Sequence, residues 1–423
     1  MLMLKKVKNV LYMFYFLFYT PCRKFDCVGQ EGAEMSQAKE KRPTIEKNTA
    51  IAVWAAAAGR CTFCNRLVLE NEDMGEVVPI GELAHNVGWG KNSPRGSGNM
   101  GVDDRADPAN LLLLCRTCHK PTDSKKALER YSIEKLRELK RQHETRIRTL
   151  TAIGGDKKAV VLRLAGNIRN VPPELTYDTV LEATVASGYF PELLPRAYRS
   201  EIEIDLRDRA NAGTPEYFAE CAKAIDDKVA VLHEGVRLDS AWRVAVFGFA
   251  RIPLLVHLGA RLDDKVNTLI FQRQRTDGKN AWCWPAIEGQ EPPTFTIKTL
   301  RQGNEHVALL LNLSGTIDPD AISDAVDSGA TVYAVEPVAP AAPNPSLINS
   351  PQALANFEKT FRQFLADTER THGKVKHINV FPAIPVSCAI VLGRALMPDV
   401  SPSLVVFDRN DSNNFFAALE VSR

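Results

Sequence analysis

Two stretches in the second half of the chain carry the same signposts in the same order. "VFGFARIPLLVHLG" and the following "LIFQR" share a VF, an IP, an LG and an F-x-R with "VFPAIPVSCAIVLG" and "LVVFDR", about 134 residues later. A recurrence of order at a fixed offset predicts two copies of one supersecondary unit. Around these signposts, "AVVLRLAGNI", "RSEIEIDL", "WRVAVFGFA" and "TLIFQRQR" read as strands, with "TPEYFAECAKAIDDKVAVLHEG" and "IPLLVHLGARL" as helices between them. "HVALLLNLSG", "ATVYAVEP" and "HINVFPAIP" then read as strands around the long helix "SPQALANFEKTFRQFLADTERTHG". Alternation of this kind predicts mostly parallel sheets with helices on their faces.

The recurrence therefore divides residues 155–423 into two Rossmann-like halves, about 155–300 and 301–423. Such halves face each other across a crevice at their strand ends, the favoured position for a ligand. The strand ends expected there are Phe249 to Arg251, Ser314/Gly315 and Pro382 to Pro385. Gln272, Arg273, Gln274 and Arg275 follow the last strand of the first half, and Trp282 and Trp284 lie just beyond. The tryptophans read either as hairpin packing or as base platforms. The stretch "EPVAPAAPNPSLINSP" reads as a loop inserted between strand and helix.

"TAIGGDKK" separates this region from a compact module at residues 35–150. "TIEKNTAIAVWAAAAG" predicts a helix capped at Gly59, just before Cys61. "KPTDSKKALERYSIEKLRELKRQHETRIRTL" predicts another, with Ile133, Leu136, His143 and Ile147 at helical spacing and nine Lys/Arg against four Glu over 125–148. Net charge is only +2, so nucleic-acid binding would need such a local basic surface.

The chain has nine cysteines, and four form two CxxC pairs, Cys61/Cys64 and Cys115/Cys118. An odd, sparse set with paired spacing argues for metal-binding thiolates in a reducing compartment, hence a cytoplasmic protein, not a disulfide framework. Four thiolates close a tetrahedral zinc and leave no position for water, which is a structural site. Residues 1–34 conflict with that compartment, since "MLMLKKVKNVLYMFYFLFYT" resembles a signal-peptide core. A misassigned start, with Met35 as the true one, or a disordered leader resolves the conflict, and no membrane span is expected.

The zinc leaves His119 unexplained. Pro121 suits a first helical turn, which would place His119 and Asp123 together at spacing four, available to a second metal. "GELAHNVGW" adds His85, three positions after Glu82. Taken with "PRG" and "DPANLLLLCRTCHKPTD…YSIEKLRELKRQHE", the stretch from about 50 to 148 resembles the HNH endonucleases of the cysteine-containing type, with His85, Asn110 and His119 at the naming positions. That resemblance implies a ββα-metal fold braced by zinc and a phosphodiester hydrolase acting on double-stranded DNA. Its implied roles are His85 as general base, Asn110 holding the histidine-bearing loop, and His119 holding Mg²⁺ or another divalent ion. Many members carry Asp or His directly before the base, whereas this chain has Ala84. Asp123 is the favoured replacement, with Glu82 or a weakly held ion as alternatives. Lys91, Arg95, Lys125 and Lys126 are the candidate contacts to DNA phosphates, a sequence-independent mode of binding.

The duplicated region resembles the SAVED domain, two fused CARF-like halves that sense cyclic oligonucleotides. "VFGFARIPLLVHLG" and "IFQRQR…AWCWP" carry that likeness. The whole chain thus resembles an HNH-SAVED effector of bacterial CBASS anti-phage systems. The resemblance implies an α/β multidomain protein that binds a cyclic di- or trinucleotide, self-associates into a homo-oligomer and cleaves DNA with little sequence preference. A modification-dependent HNH restriction enzyme, whose C-terminal half reads DNA directly, is the alternative. A zinc-braced, non-enzymatic DNA-binding adaptor is a third.

Overall fold

A computed structural model describes residues 44–69, 78–90, 92–97, 100–101, 103–124, 126, 128–168, 175–192, 203–209, 213–239, 243–263, 266–275, 281–285, 289, 291–303 and 306–423. The candidate leader at 1–34 and the candidate DNA contacts Lys91 and Lys125 lie outside the described residues.

The first helix, α1 (Lys47–Ala56), is shorter than the expected 44–59. Ala58 and Gly59 take positive φ values of 50° and 64°, and the Gly59 amide donates back to Trp54 O at 3.0 Å, which closes the helix. Strand β1 (Gly81–His85) pairs antiparallel with β2 (Leu111–Cys115), whose apolar run is wholly buried. Helix α2 (Arg116–Thr122) follows directly. The single long helix expected after it is two helices. α2 ends at Thr122, and α3 (Ile133–Thr151) starts afresh where the Ser132 side chain accepts from the Lys135 amide. Leu136 and His143 form its buried stripe, and His143 Nε2 lies 3.3 Å from Ala57 O at the end of α1.

The first half of the larger region comprises β3 (Lys158–Ala165), α4 (Tyr177–Ala186), β4 (Phe190–Glu192), β5 (Glu203–Asp205), α5 (Pro215–Asp239), β6 (Arg243–Phe249), α6 (Ile252–Leu262) and β7 (Asn267–Ile270). Its strands run in the order β4-β3-β6-β7, all parallel, and β5 also pairs parallel with β3. The second half comprises β8 (Phe295–Arg301), β9 (Val307–Asn312), β10 (Thr331–Pro337), α7 (Pro351–His372), β11 (His377–Ala383), α8 (Val386–Arg394), β12 (Ser403–Arg409) and β13 (Phe415–Val421). Its order is β13-β12-β11-β9-β10-β8, with antiparallel strands only at the two edges. The inner four, β10-β9-β11-β12, repeat the parallel order of the first sheet. The Pro/Ala stretch is the connection between β10 and α7.

The repeated LG signpost explains how the halves join. An ideal Cβ on Gly259 would lie 1.9 Å from Ile390 O, and one on Gly393 would lie 1.9 Å from Val256 O. Each contact maps onto the other under the sequence offset, so α6 and α8 cross about a pseudo-twofold axis with backbones touching. Only glycine permits that approach. Every residue of α8 from Val386 to Gly393 is buried, and both helices belong to one apolar core shared with both sheets. Among the described residues no helix is long and apolar enough to cross a membrane.

Candidate functional site

Because the halves are related by that axis, the C-terminal ends of both parallel sheets open on one crevice, of about 740 Å³. The N-termini of α6 and α8 reach it at Arg251–Ile252 and Pro385–Val386. Of the residues expected there, Phe249, Arg251, Gln272, Arg273, Arg275, Ser314, Pro382 and Pro385 line it. Its charge is mostly positive, from Arg251, Arg273, Arg275 and Arg409 against Asp408. Arg273 lies over the Phe249 ring, 5.5 Å from its centre, and Arg409 over Phe415 at 4.0 Å. These two are the arginines of the repeated F-x-R. An arginine-rich concavity with aromatic faces is chemically suited to phosphates joined to flat bases.

Four expected residues do not line it. Gln274 is buried, and its side chain donates to Ile348 O at 3.4 Å. Trp282 is fully buried with its ring edge-on to Phe247, so core packing is its place. Trp284 lines a separate cavity of about 370 Å³ with Tyr189 and Arg394. Gly315 follows Ser314 beyond the end of β9, outside the lining. The expected strand over 268–275 also stops at Ile270, and the glutamine side chains beyond it bond the other half. Asp408, Arg409 and Phe415 were missed, although "VFDR" set beside "IFQR" places Arg409 opposite Arg273.

In the N-terminal unit Asn110 is buried, 1% exposed, and all its side-chain bonds go to backbone. It accepts from the Val87 amide at 2.9 Å and donates to Val87 O and Arg105 O at 3.0 and 2.9 Å. It thereby fixes the chain just after His85. His85 ends β1 opposite Leu111, half-buried. His119 Nδ1 lies 2.6 Å from Glu82 Oε2, and its Nε2 lies 3.4 Å from Asp123 Oδ2. Both candidate replacements for the ligand missing at Ala84 therefore flank the same imidazole. Hydrogen bonding to Asp123 first, then Glu82, raises the His119 pKa against part burial, and the same bond with Asp123 lowers that carboxyl.

Arg95 departs from its expected role. Its side chain is 6% exposed and donates to Asn86 O, Thr122 O and Asp123 Oδ1, so it is a strut between loop and helix instead of a phosphate contact. Arg105, which sequence reasoning passed over, does similar work by donating to Gly88 O, Trp89 O, Gly96 O and Met100 O. Lys126 is exposed.

The Sγ atoms of Cys61, Cys64, Cys115 and Cys118 all lie within 4.8 Å of one another, and Cys64 and Cys115 are 3.7 Å apart. Sulfurs at tetrahedral corners about 2.3 Å from a zinc ion are about 3.8 Å apart, so the set fits that ion. Asn65, at φ 58°, turns the first pair, and the Thr62 amide donates to Leu113 O at 2.8 Å, which ties that turn to β2. Burial, then hydrogen bonding with the neighbouring Cys115, pushes the Cys118 thiol up.

The C-terminal part of the chain is similar to a sensor domain. Residues 225–421 match the SAVED model, the SMODS-associated and fused to various effectors sensor domain. No curated protein matches the chain. Solved structures that resemble it include an Acinetobacter baumannii Cap4 SAVED/CARF-domain containing receptor with the cyclic trinucleotide 2′3′3′-cAAA, at 14% identity and TM-score 0.40, covering 76% of this chain and 64% of that one. The same receptor with 3′3′3′-cAAA gives 14% and 0.40, covering 77% and 67%. A Moraxella osloensis Cap4 receptor gives 14% and 0.32, covering 52% and 47%. The chain thus spans just under two thirds of the first of these.

Proposed function

We propose that this chain is a cyclic-oligonucleotide-activated DNA endonuclease of anti-phage defence, with its sensor in the duplicated α/β region and an HNH nuclease at about 35–150. The observation that carries the sensor reading is the arginine-lined crevice at the joined strand ends of a SAVED domain. Cyclic oligonucleotides present phosphates and purines, and the crevice offers guanidinium groups, two helix N-termini and aromatic faces.

The nuclease reading is supported by the antiparallel β1-β2 pair leading into α2, and by His85, Asn110 and His119 on those elements and their junction. In it, His85 takes a proton from the attacking water. Asn110 keeps the His85 segment in register through its three backbone bonds. His119, with Asp123 or Glu82, would hold a divalent ion, which when bound supplies charge neutralisation at the phosphate and departing oxygen. The four cysteines would hold a structural zinc. The ligand's route to activation in this reading is self-association, which requires that it bind the assembled state more tightly.

Replacement of His85 by alanine tests the division of labour. Plasmid cleavage should be lost while nucleotide binding by the full chain is retained. Wild-type cleavage by His85→Ala would remove the base assignment.

A further inference from the structure

The crevice carries its own anion. The x of the repeated F-x-R is Gln272 in the first half and Asp408 in the second, and each reaches across to the N-terminal end of the other half's crossing helix. Gln272 Oε1 accepts from the Ser387 amide at 3.1 Å and from its hydroxyl at 2.7 Å, near the start of α8. Asp408 Oδ2 accepts from Arg251 Nε at 2.7 Å, and Arg251 is the residue that caps the start of α6. Arg251 Nη2 adds a bond to Arg409 O at 2.8 Å, and Asp408 Oδ1 accepts from the Arg409 amide at 2.7 Å.

The two straps occupy equivalent places but differ in chemistry. The Gln272–Ser387 strap is neutral, and both its residues are buried. The Arg251–Asp408 strap is ionic, and both residues line the crevice. A guanidinium exchanges one oxyanion for another with little loss, since carboxylate and phosphate present the same paired acceptors.

We infer that Asp408 is a built-in competitor for Arg251: its carboxylate holds the guanidinium across the two halves when the crevice is empty, and a ligand phosphate takes its place. This rests on the sensor reading and adds to it a regulation. The pair lowers the apparent affinity for any anionic ligand, because binding includes separating Arg251 from its internal partner. It also favours ligands that bring a phosphate to that one wall over neutral nucleosides. Once a phosphate sits on Arg251, Asp408 faces a like charge, so the exchange pushes β12 and the start of α6 apart and loosens one of the two straps between the halves.

The test is a double-mutant cycle on the full-length chain. Binding of cyclic di-AMP, cyclic di-GMP, cyclic GMP-AMP and cyclic triadenylate is measured by calorimetry for wild type, Asp408→Asn, Arg251→Gln and the double variant. Asparagine keeps the size of the side chain and can still accept from the Arg409 amide. Asp408→Asn should bind the recognised nucleotide about tenfold more tightly, Arg251→Gln more weakly, and the double variant no more tightly than Arg251→Gln alone. Thermal melts of each variant without nucleotide show that it is folded. Wild-type binding that Asp408→Asn leaves unchanged or weakens overturns the inference, since a mere structural strut behaves that way. Tightening that persists in the Arg251→Gln background also overturns it, because a general loss of negative charge would then be the cause. No binding of any of the four by wild type or Asp408→Asn takes away the sensor reading, and the inference with it.

Discussion

The crossing of α6 and α8 gives the sharpest test of the architecture. In Gly393→Ala the new Cβ would sit 1.9 Å from Val256 O and 2.6 Å from Ala260 N, both backbone atoms that cannot swing aside. The helices must move apart by more than 1 Å in the middle of the shared core. Overpacking of this kind costs typically ~1–3 kcal/mol, and a backbone clash belongs at ~3. Glycine to alanine inside a helix is otherwise favourable by ~1 kcal/mol, so the net loss is ~2 kcal/mol. At ~2–4 °C per kcal/mol for a region of this size, the melting temperature should fall by ~4–8 °C. Buried Trp282 supplies a fluorescence signal for the melt. Gly259→Ala should cost a similar amount, because it meets Ile390 O at the same 1.9 Å on the other side of the pseudo-twofold axis. The double variant should cost clearly less than the two added, since separation forced by one clash relieves the other. A Gly393→Ala chain that melts at or above the wild-type temperature would refute the crossing.

Other outcomes follow from single contacts. Asn110→Ala strands the Val87 amide and carbonyl and the Arg105 carbonyl, and at ~1–3 kcal/mol for each unsatisfied buried group it should unlock 86–88 to hydrogen exchange and abolish cleavage. Wild-type protection at those amides would show that the bonds are dispensable. A strong zinc chelator should remove one zinc per chain and unfold the N-terminal unit, leaving nucleotide binding intact, and Cys118→Ser should show the same pattern without chelator. Metal analysis finding no zinc in purified wild type would contradict this. Burial, against the pull of Asp226, holds the His257 imidazole below the usual 6.5. Since its folded pKa is the lower one, unfolding takes up the proton, so stability should fall as pH drops below about 6.5, and His257→Gln should flatten that slope in urea titrations at several pH values.

Sequence pattern was most informative where it repeated. The signposts VF, IP, LG and F-x-R mark β6-α6-β7 and β11-α8-β12, and the repetition alone pointed to a crevice between halves. Side-chain direction beyond a strand end was not readable. Gln272 and Gln274 looked alike beside Arg273, yet Gln272 lines the crevice and also straps the halves together, while Gln274 holds a loop. Both roles depend on residues more than 70 positions away, which no local pattern encodes. Asp408 was overlooked for the same reason, since its partner Arg251 lies in the other half. In the N-terminal unit the clustering of the cysteines followed from spacing, whereas Arg95 looked like a surface cation because its acceptors, Asn86 on one side and Thr122 and Asp123 on the other, lie on two other segments. The break after Thr122 is marked in the sequence only by the poor helix formers Thr122, Asp123 and Ser124, and the Ser132 cap signals the restart.

The joining of sensor to nuclease is tested most directly by incubating supercoiled plasmid and Mg²⁺ with the purified full-length chain, with and without each cyclic di- and trinucleotide. The account expects intact plasmid in the absence of nucleotide, and nicking then linearisation when the recognised nucleotide is added. Cleavage that proceeds equally without any nucleotide, or intact plasmid in the presence of a nucleotide shown to bind the crevice, would contradict it.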